Sequence, residues 1–174
     1  MKLHPAVLAL LLFAALPGAS HAQSVSGAFQ GLSTDSDEPI QIEADRLEIR
    51  DPEKLAVYTG NVRVQQGVTT VKTTELRVHY TGEAREGAPG SAVDRIEAGS
   101  PVLIQSEGQT ATGDRAVFEM ARDLITLSGN VVLTQGENVV RGPQLTIDLK
   151  SKRAQMQGGR VQTVITPRAA QTGQ

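Results

Sequence analysis

The chain contains no cysteine and no tryptophan, and aromatic residues make up only 3% of its 174 residues. Without cysteine there is no disulfide framework, no thiolate metal site and no cysteine nucleophile. An excess of one charge is also missing. Seventeen Lys and Arg face 19 Asp and Glu, for a net charge of −2. That balance leaves no basic footprint, so nucleic acid is not an expected partner. The scarcity of rings argues against a thick, densely filled core. The sequence also lacks a phosphate-cradling glycine loop, a G-x-S-x-G elbow and an H-E-x-x-H pair. The expectation is a protein without cofactor, metal site or enzymatic activity.

What is present begins with an export signal. Lys2 is followed by the apolar run Ala6–Leu16, the breaker Pro17-Gly18 and the small-x-small box Ser20-His21-Ala22. Residues 1–22 therefore read as a signal peptide cut after Ala22. The run is too short to span a hydrocarbon core, which needs about 20 residues. Residues 23–38 are rich in Ser, Gly and Asp and read as a flexible leader. Residues 168–174 read as a disordered tail, which leaves 39–167 as the folded domain. An exported chain without disulfides must be held by backbone ladders and side-chain burial.

An internal repeat organises that domain. Residues 45–80 and 114–149 align without gaps: Asp45-Arg46 with Asp114-Arg115, Gly60-Asn61-Val62 with Gly129-Asn130-Val131, and Gln66-Gly67 with Gln135-Gly136. Within that offset lies a shorter one. Ala44, Thr73, Gly113 and Gly142 occupy matching places. Their spacing is regular once Thr81–Ser91 (TGEAREGAPGS) is set aside as an inserted loop. The chain reads as four copies of a unit of about 29 residues.

Each unit is β. Apolar residues alternate in Ile40, Ile42, Ala44, and again in Leu76, Val78, Tyr80 and in Leu145, Ile147, Leu149. Period two marks a strand with one buried face. The alternation slips by one residue after Ala44, Thr73, Gly113 and Gly142. A slip would turn every later side chain to the wrong face unless a bulge or bend restored it. Each strand is therefore expected to bend at a small residue, with the four corners stacked. Gly60-Asn61, Gly99-Ser100, Gly129-Asn130 and Gly158-Gly159 are expected to be turns, because Gly and Asn tolerate positive φ. Two walls then meet at a bend, with aliphatic side chains facing inward. The space between them is either a trough able to hold an aliphatic ligand or a sandwich filled by its own side chains.

The strings PIQIEADRLEIR (39–50), VYTGNVRVQQG (57–67) and LSGNVVLTQGENVVRG (127–142) resemble the organic-solvent-tolerance (OstA-like) family, and most closely its small periplasmic lipopolysaccharide-transport branch. The resemblance covers 39–167. It implies an all-β fold, an open, twisted antiparallel β-jellyroll. It also implies a carrier of lipopolysaccharide in the periplasm, with acyl chains in the trough. The implied partners are lipopolysaccharide, the related jellyrolls of the inner- and outer-membrane transport components, and further copies joined head to tail. The expected acyl contacts are Ile40, Ile42, Leu47, Ile49, Val62, Val64, Leu76, Val78, Val102, Ile104, Phe118, Val131, Leu133, Leu145 and Ile147. Ile40 and Ile42 would sit at the amino-terminal opening. Two other readings stay open. One is a self-assembling structural protein without lipid cargo. The other is the family's membrane-anchored inner-membrane member, which the signal-peptide reading disfavours.

The remaining polar features read as structural. Asp45-Arg46 and Asp114-Arg115 make poor catalytic dyads, since neighbouring strand residues point to opposite faces. A corner role fits them better, with Asp bonding nearby backbone. His79 falls on the outward phase and has no second histidine in the exported part. Lys150, Lys152 and Arg153 read as a hairpin turn.

Overall fold

The computed structural model describes residues 38–82 and 92–166. The expected signal peptide, the leader except Glu38, the tail and most of the Thr81–Ser91 insertion lie outside those residues. The described strands are β1 Gln41–Glu43, β2 Arg46–Arg50, β3 Leu55–Gln66, β4 Thr69–Thr81, β5 Ala92–Ala98 and β6 Val102–Ser106. They continue as β7 Gln109–Gly113, β8 Arg115–Glu119, β9 Leu124–Gln135, β10 Asn138–Asp148, β11 Arg153–Gln157 and β12 Gln162–Val164. They join in one 12-stranded antiparallel sheet. The all-β antiparallel jellyroll expected from the sequence is the fold observed.

That sheet is folded along a crease into two walls. The first wall runs β1, the second half of β3, the first half of β4, β6, β7, the second half of β9, the first half of β10, and β12. The second wall runs β2, the first half of β3, the second half of β4, β5, β8, the first half of β9, the second half of β10, and β11. The long strands β3, β4, β9 and β10 cross the crease and belong to both. Chain reversals lie on the two outer rims. One rim carries Gly67, Gly108 and Gly136, all at positive φ. The other carries the 3-10 turns Asp51–Glu53 and Met120–Arg122.

The crease is built by bulges, and here one expectation is corrected. Gly60-Asn61 and Gly129-Asn130 are not reversing turns. They lie inside the continuous strands β3 and β9. Gly60 and Asn61 together oppose the single Thr74 of β4, and Gly129 and Asn130 together oppose Pro143 of β10. Two residues against one bend the strand and sharpen its twist. All four bulge residues have positive φ: 79° and 46° at the first bulge, 76° and 48° at the second. Gly and Asn supply that backbone, but the strand continues through it instead of returning.

The repeated Asp fastens each bulge. The Asp45 amide donates to the Gly60 carbonyl at 3.0 Å, and the Asp114 amide donates to the Gly129 carbonyl at 3.0 Å. The Asn61 carboxamide donates to the Asp45 carboxylate at 2.8 Å. Asn130 does the same to Asp114 at 2.9 Å. The corner role expected of Asp is found, although its carboxylate takes the Asn side chain across the crease. Small residues are required beside it. A Cβ on Gly113 would lie 2.8 Å from Leu127 Cγ, and one on Gly142 would lie 2.6 Å from Met156 Cγ.

Candidate functional site

The register aligns inward residues into rungs that cross each wall from edge to edge, since directly opposed residues share a face. One rung of the second wall is Leu47, Tyr58, Leu76, Ala98, Ala116, Leu127, Leu145 and Met156. The next is Ile49, Ala56, Val78, Ile96, Phe118, Ile125, Ile147 and Ala154. The first wall carries Ile42, Val64, Val71, Ile104, Ala111, Leu133, Val140 and Thr163. Beside the crease, Val62 opposes Thr73, Val102 opposes Gly113, and Val131 opposes Gly142.

Fourteen of the 15 residues expected to face inward stand on these rungs; Ile40 precedes β1. Val62, Val64, Leu76, Val78, Val102, Ile104, Val131, Leu133, Leu145 and Ile147 are buried. Ile42, Ile49 and Phe118 are half-buried and packed against them. Ile40 and Leu47 are exposed, at 41% and 37%. Tyr58, Val71, Ile125, Leu127 and Val140 share the rungs without being among the expected acyl contacts. Ile125, Leu127 and Val140 continue the same alternation, so the signal for them was present.

Burial along a rung has a definite shape. Leu76, Leu127 and Leu145, in the middle of the second wall, are each at most 2% exposed. At the first edge Ile40 and Leu47 face water. At the far edge Val161 and Ile165 are exposed at 42% and 68%. The interior is therefore closed by its own side chains in the centre and uncovered at both ends. Of the two readings of the interior, the centre matches a filled sandwich and the ends match an open trough.

Charge is kept outside the rungs. Burial pushes the Tyr58 phenol above its ordinary pKa. Burial does the same at Tyr80, reinforced by the hydrogen bond its hydroxyl donates to Asp51 at 3.1 Å. Both phenols thus stay neutral at any ordinary pH. His79 lies on the outer face, where its Nε2 is 3.7 Å from Glu97, a carboxylate that also holds Arg95 at 3.0 Å and Arg115 at 2.6 Å. Lys150 reaches the buried Asp123 at 3.3 Å, and Lys152 takes positive φ in the β10–β11 turn. The basic run is a hairpin turn, as expected.

The interior is lined by aliphatic side chains, and among the described residues no charged side chain stands on the rungs. The family model for the LptA/(LptD N-terminal domain) LPS transport protein matches residues 41–153. The chain belongs to this family. It is 40% identical over 161 residues to an uncharacterised protein of Rhizobium meliloti strain 1021, covering 90% of this chain and 87% of that one. It is 29% identical over 143 residues to the lipopolysaccharide export system protein LptA of Escherichia coli K12, covering 76% of this chain and 74% of LptA. The LPS-assembly protein LptD of Actinobacillus pleuropneumoniae is 37% identical over 89 residues, which is 49% of this chain and 11% of LptD. The crystal structure of LptH, the LptA-homologous periplasmic component from Pseudomonas aeruginosa, superposes with a TM-score of 0.61 at 19% identity. That match spans 76% of this chain and 99% of LptH, and it establishes the shared fold. Family members are transport proteins and not enzymes. The family assigns this chain to lipopolysaccharide transport.

Proposed function

We propose that this chain works in the periplasm, takes lipopolysaccharide acyl chains between its two walls, and links with other jellyrolls of the pathway into a bridge between the membranes. The observation that carries this reading is the aliphatic interior that runs from edge to edge, buried in the middle, with exposed apolar side chains at both edges, Ile40 and Leu47 at one and Val161 and Ile165 at the other. An apolar interior exposed at the β1–β2 edge and again at the β11–β12 edge continues into a second jellyroll stacked on either side. Among the described residues β1, β2, β11 and β12 each pair on one side only, and such edges supply the backbone donors and acceptors for stacking.

An acyl chain has to part the walls, and its own burial can offset that cost. Each buried methylene is worth about 0.8 kcal/mol, so a chain of about a dozen carbons brings roughly 10 kcal/mol. The aliphatic rungs regain contacts on the chain that replace those they lose to each other. Nothing in this site hydrolyses a high-energy bond, so the direction of lipid movement has to be set by another component.

Titration of the purified protein with lipopolysaccharide should give saturable binding. A signal that never saturates, or none, would contradict the carrier reading. The closed centre of the sandwich favours one rival, a self-assembling protein without cargo. Light scattering run alongside the titration separates the two, since assembly with no lipid uptake supports the rival.

A further inference from the structure

One rung breaks the aliphatic pattern. Where the first wall reaches its rim, the residues in inward phase are Gln66, Thr69, Ser106, Gln109 and Gln135. Gln66 opposes Thr69, Ser106 opposes Gln109, and Gln109 opposes Gln135. Gln66, Thr69, Ser106 and Gln109 are each more than nine-tenths buried, with exposures of 4%, 0%, 3% and 7%. The Thr69 and Ser106 hydroxyls bond each other at 2.8 Å, and the Gln66 carboxamide donates to the Glu38 carbonyl at 3.2 Å. Among the described residues the buried Gln109 Oε1 has no hydrogen-bond partner.

Packing of the free protein does not account for glutamine at 109. A buried acceptor without a donor is unfavourable, and buried polar atoms in folded proteins are normally satisfied. Leucine at 109, valine at 69 and alanine at 106 would close the same space without that penalty. Position accounts for it instead. The polar rung is the last inward rung before the rim of the first wall, next to the aliphatic rung of Ile104 and Leu133. A chain lying on that aliphatic rung would bring its attachment point to Gln109.

We propose that this polar rung is a subsite for the junction between the acyl chains and the head group of the bound lipid. The inference rests on the carrier reading above. The Gln109 Oε1 accepts a hydrogen bond from an amide N–H or a hydroxyl at that junction. The Thr69 and Ser106 hydroxyls exchange their mutual bond for bonds to its carbonyl or hydroxyl oxygens. The occupant is thus a glycolipid with amide or hydroxyl groups beside its chains. An ionised fatty acid fills the aliphatic rungs but has no N–H or O–H to offer Gln109.

The test uses the triple variant Thr69→Val, Ser106→Ala, Gln109→Leu in the full exported chain, with lipid A and dodecanoate as probes in one competition assay. The variant should bind dodecanoate within about twofold of wild type and lipid A at least tenfold more weakly. Equal losses for both probes, or no loss for lipid A, would overturn the subsite. Wild-type protein that binds neither probe sinks the carrier reading and this inference with it. Wild-type protein that binds lipid A as tightly as the variant does sinks the subsite alone. If the triple variant loses its cooperative unfolding transition, Ser106→Ala and Gln109→Leu are measured singly. Each should then weaken lipid A about threefold and leave dodecanoate unchanged, and an unchanged lipid A affinity in both overturns the proposal.

Discussion

Replacing Gly129 with alanine is expected to cost about 2–3 kcal/mol of folding stability. Two effects combine. The residue holds φ at +76°, where a side chain costs about 1–2 kcal/mol. Its new Cβ would also overlap the Asp114 carboxylate and push it off Asn130. Losing that hydrogen bond adds about 1 kcal/mol. Thermal unfolding should drop by roughly 10 °C in a domain of this size. Gly136 is the control. It also has positive φ, at 56°, but an added Cβ meets nothing within 4 Å, so Gly136→Ala should cost about half as much or less. Coupling gives a sharper check. In an Asp114→Ala background the overlap is gone, and Gly129→Ala should cost about 1 kcal/mol less than in wild type, beyond the usual tolerance for additivity. Equal costs at Gly129 and Gly136 would show that the Asp clamp does not hold the crease.

The second large effect concerns assembly. Val161→Asp combined with Ile165→Asp is expected to abolish end-to-end association and leave a folded monomer. Both positions are already exposed, at 42% and 68%, so the fold loses little. A charge at the uncovered end of an apolar interior would have to be buried in any stacked neighbour, which is strongly unfavourable. Ile40→Asp should do the same from the other edge. Mixing the two variants is the informative step. In a head-to-tail contact each surface differs from its partner. The intact β1–β2 edge of one variant then pairs with the intact β11–β12 edge of the other, and a one-to-one complex forms where neither variant associates alone. Sedimentation velocity reads this directly. Variants that assemble as wild type does, or a mixture that stays monomeric, would count against heterologous stacking.

The sequence was most readable where chemistry repeats. A gapless offset joining Asp45 to Asp114 and Gly60-Asn61 to Gly129-Asn130 exposed the repeat. The slip in alternation at Ala44, Thr73, Gly113 and Gly142 located the crease. Alternation alone placed Leu76, Ile104 and Leu145 in the interior, because period two is a direct consequence of strand geometry. The Gly-Asn pairs were harder. Positive φ is required by a reversing turn and by this two-against-one bulge alike, and only the partner strand tells them apart. The polar rung escaped for a similar reason. Gln66 and Thr69 keep the inward phase but not the apolar character, so a reading by hydropathy ends the buried strand at Val64 and resumes it at Val71. Whether the walls touch was not legible either. Val, Leu and Ile serve a filled sandwich as well as an open trough, and the answer depends on the separation of the walls.

The central claim is that lipid lies between the walls. It is tested most directly with a photo-crosslinking amino acid placed at Ile42 or at Arg63, followed by illumination with lipopolysaccharide present. Ile42 is half-buried on an inward rung at the first edge, and Arg63 is exposed on the opposite face of the same wall. Strong capture of lipopolysaccharide at Ile42 with little at Arg63 is the predicted result. Capture at Arg63 alone, or equally at both, would contradict it.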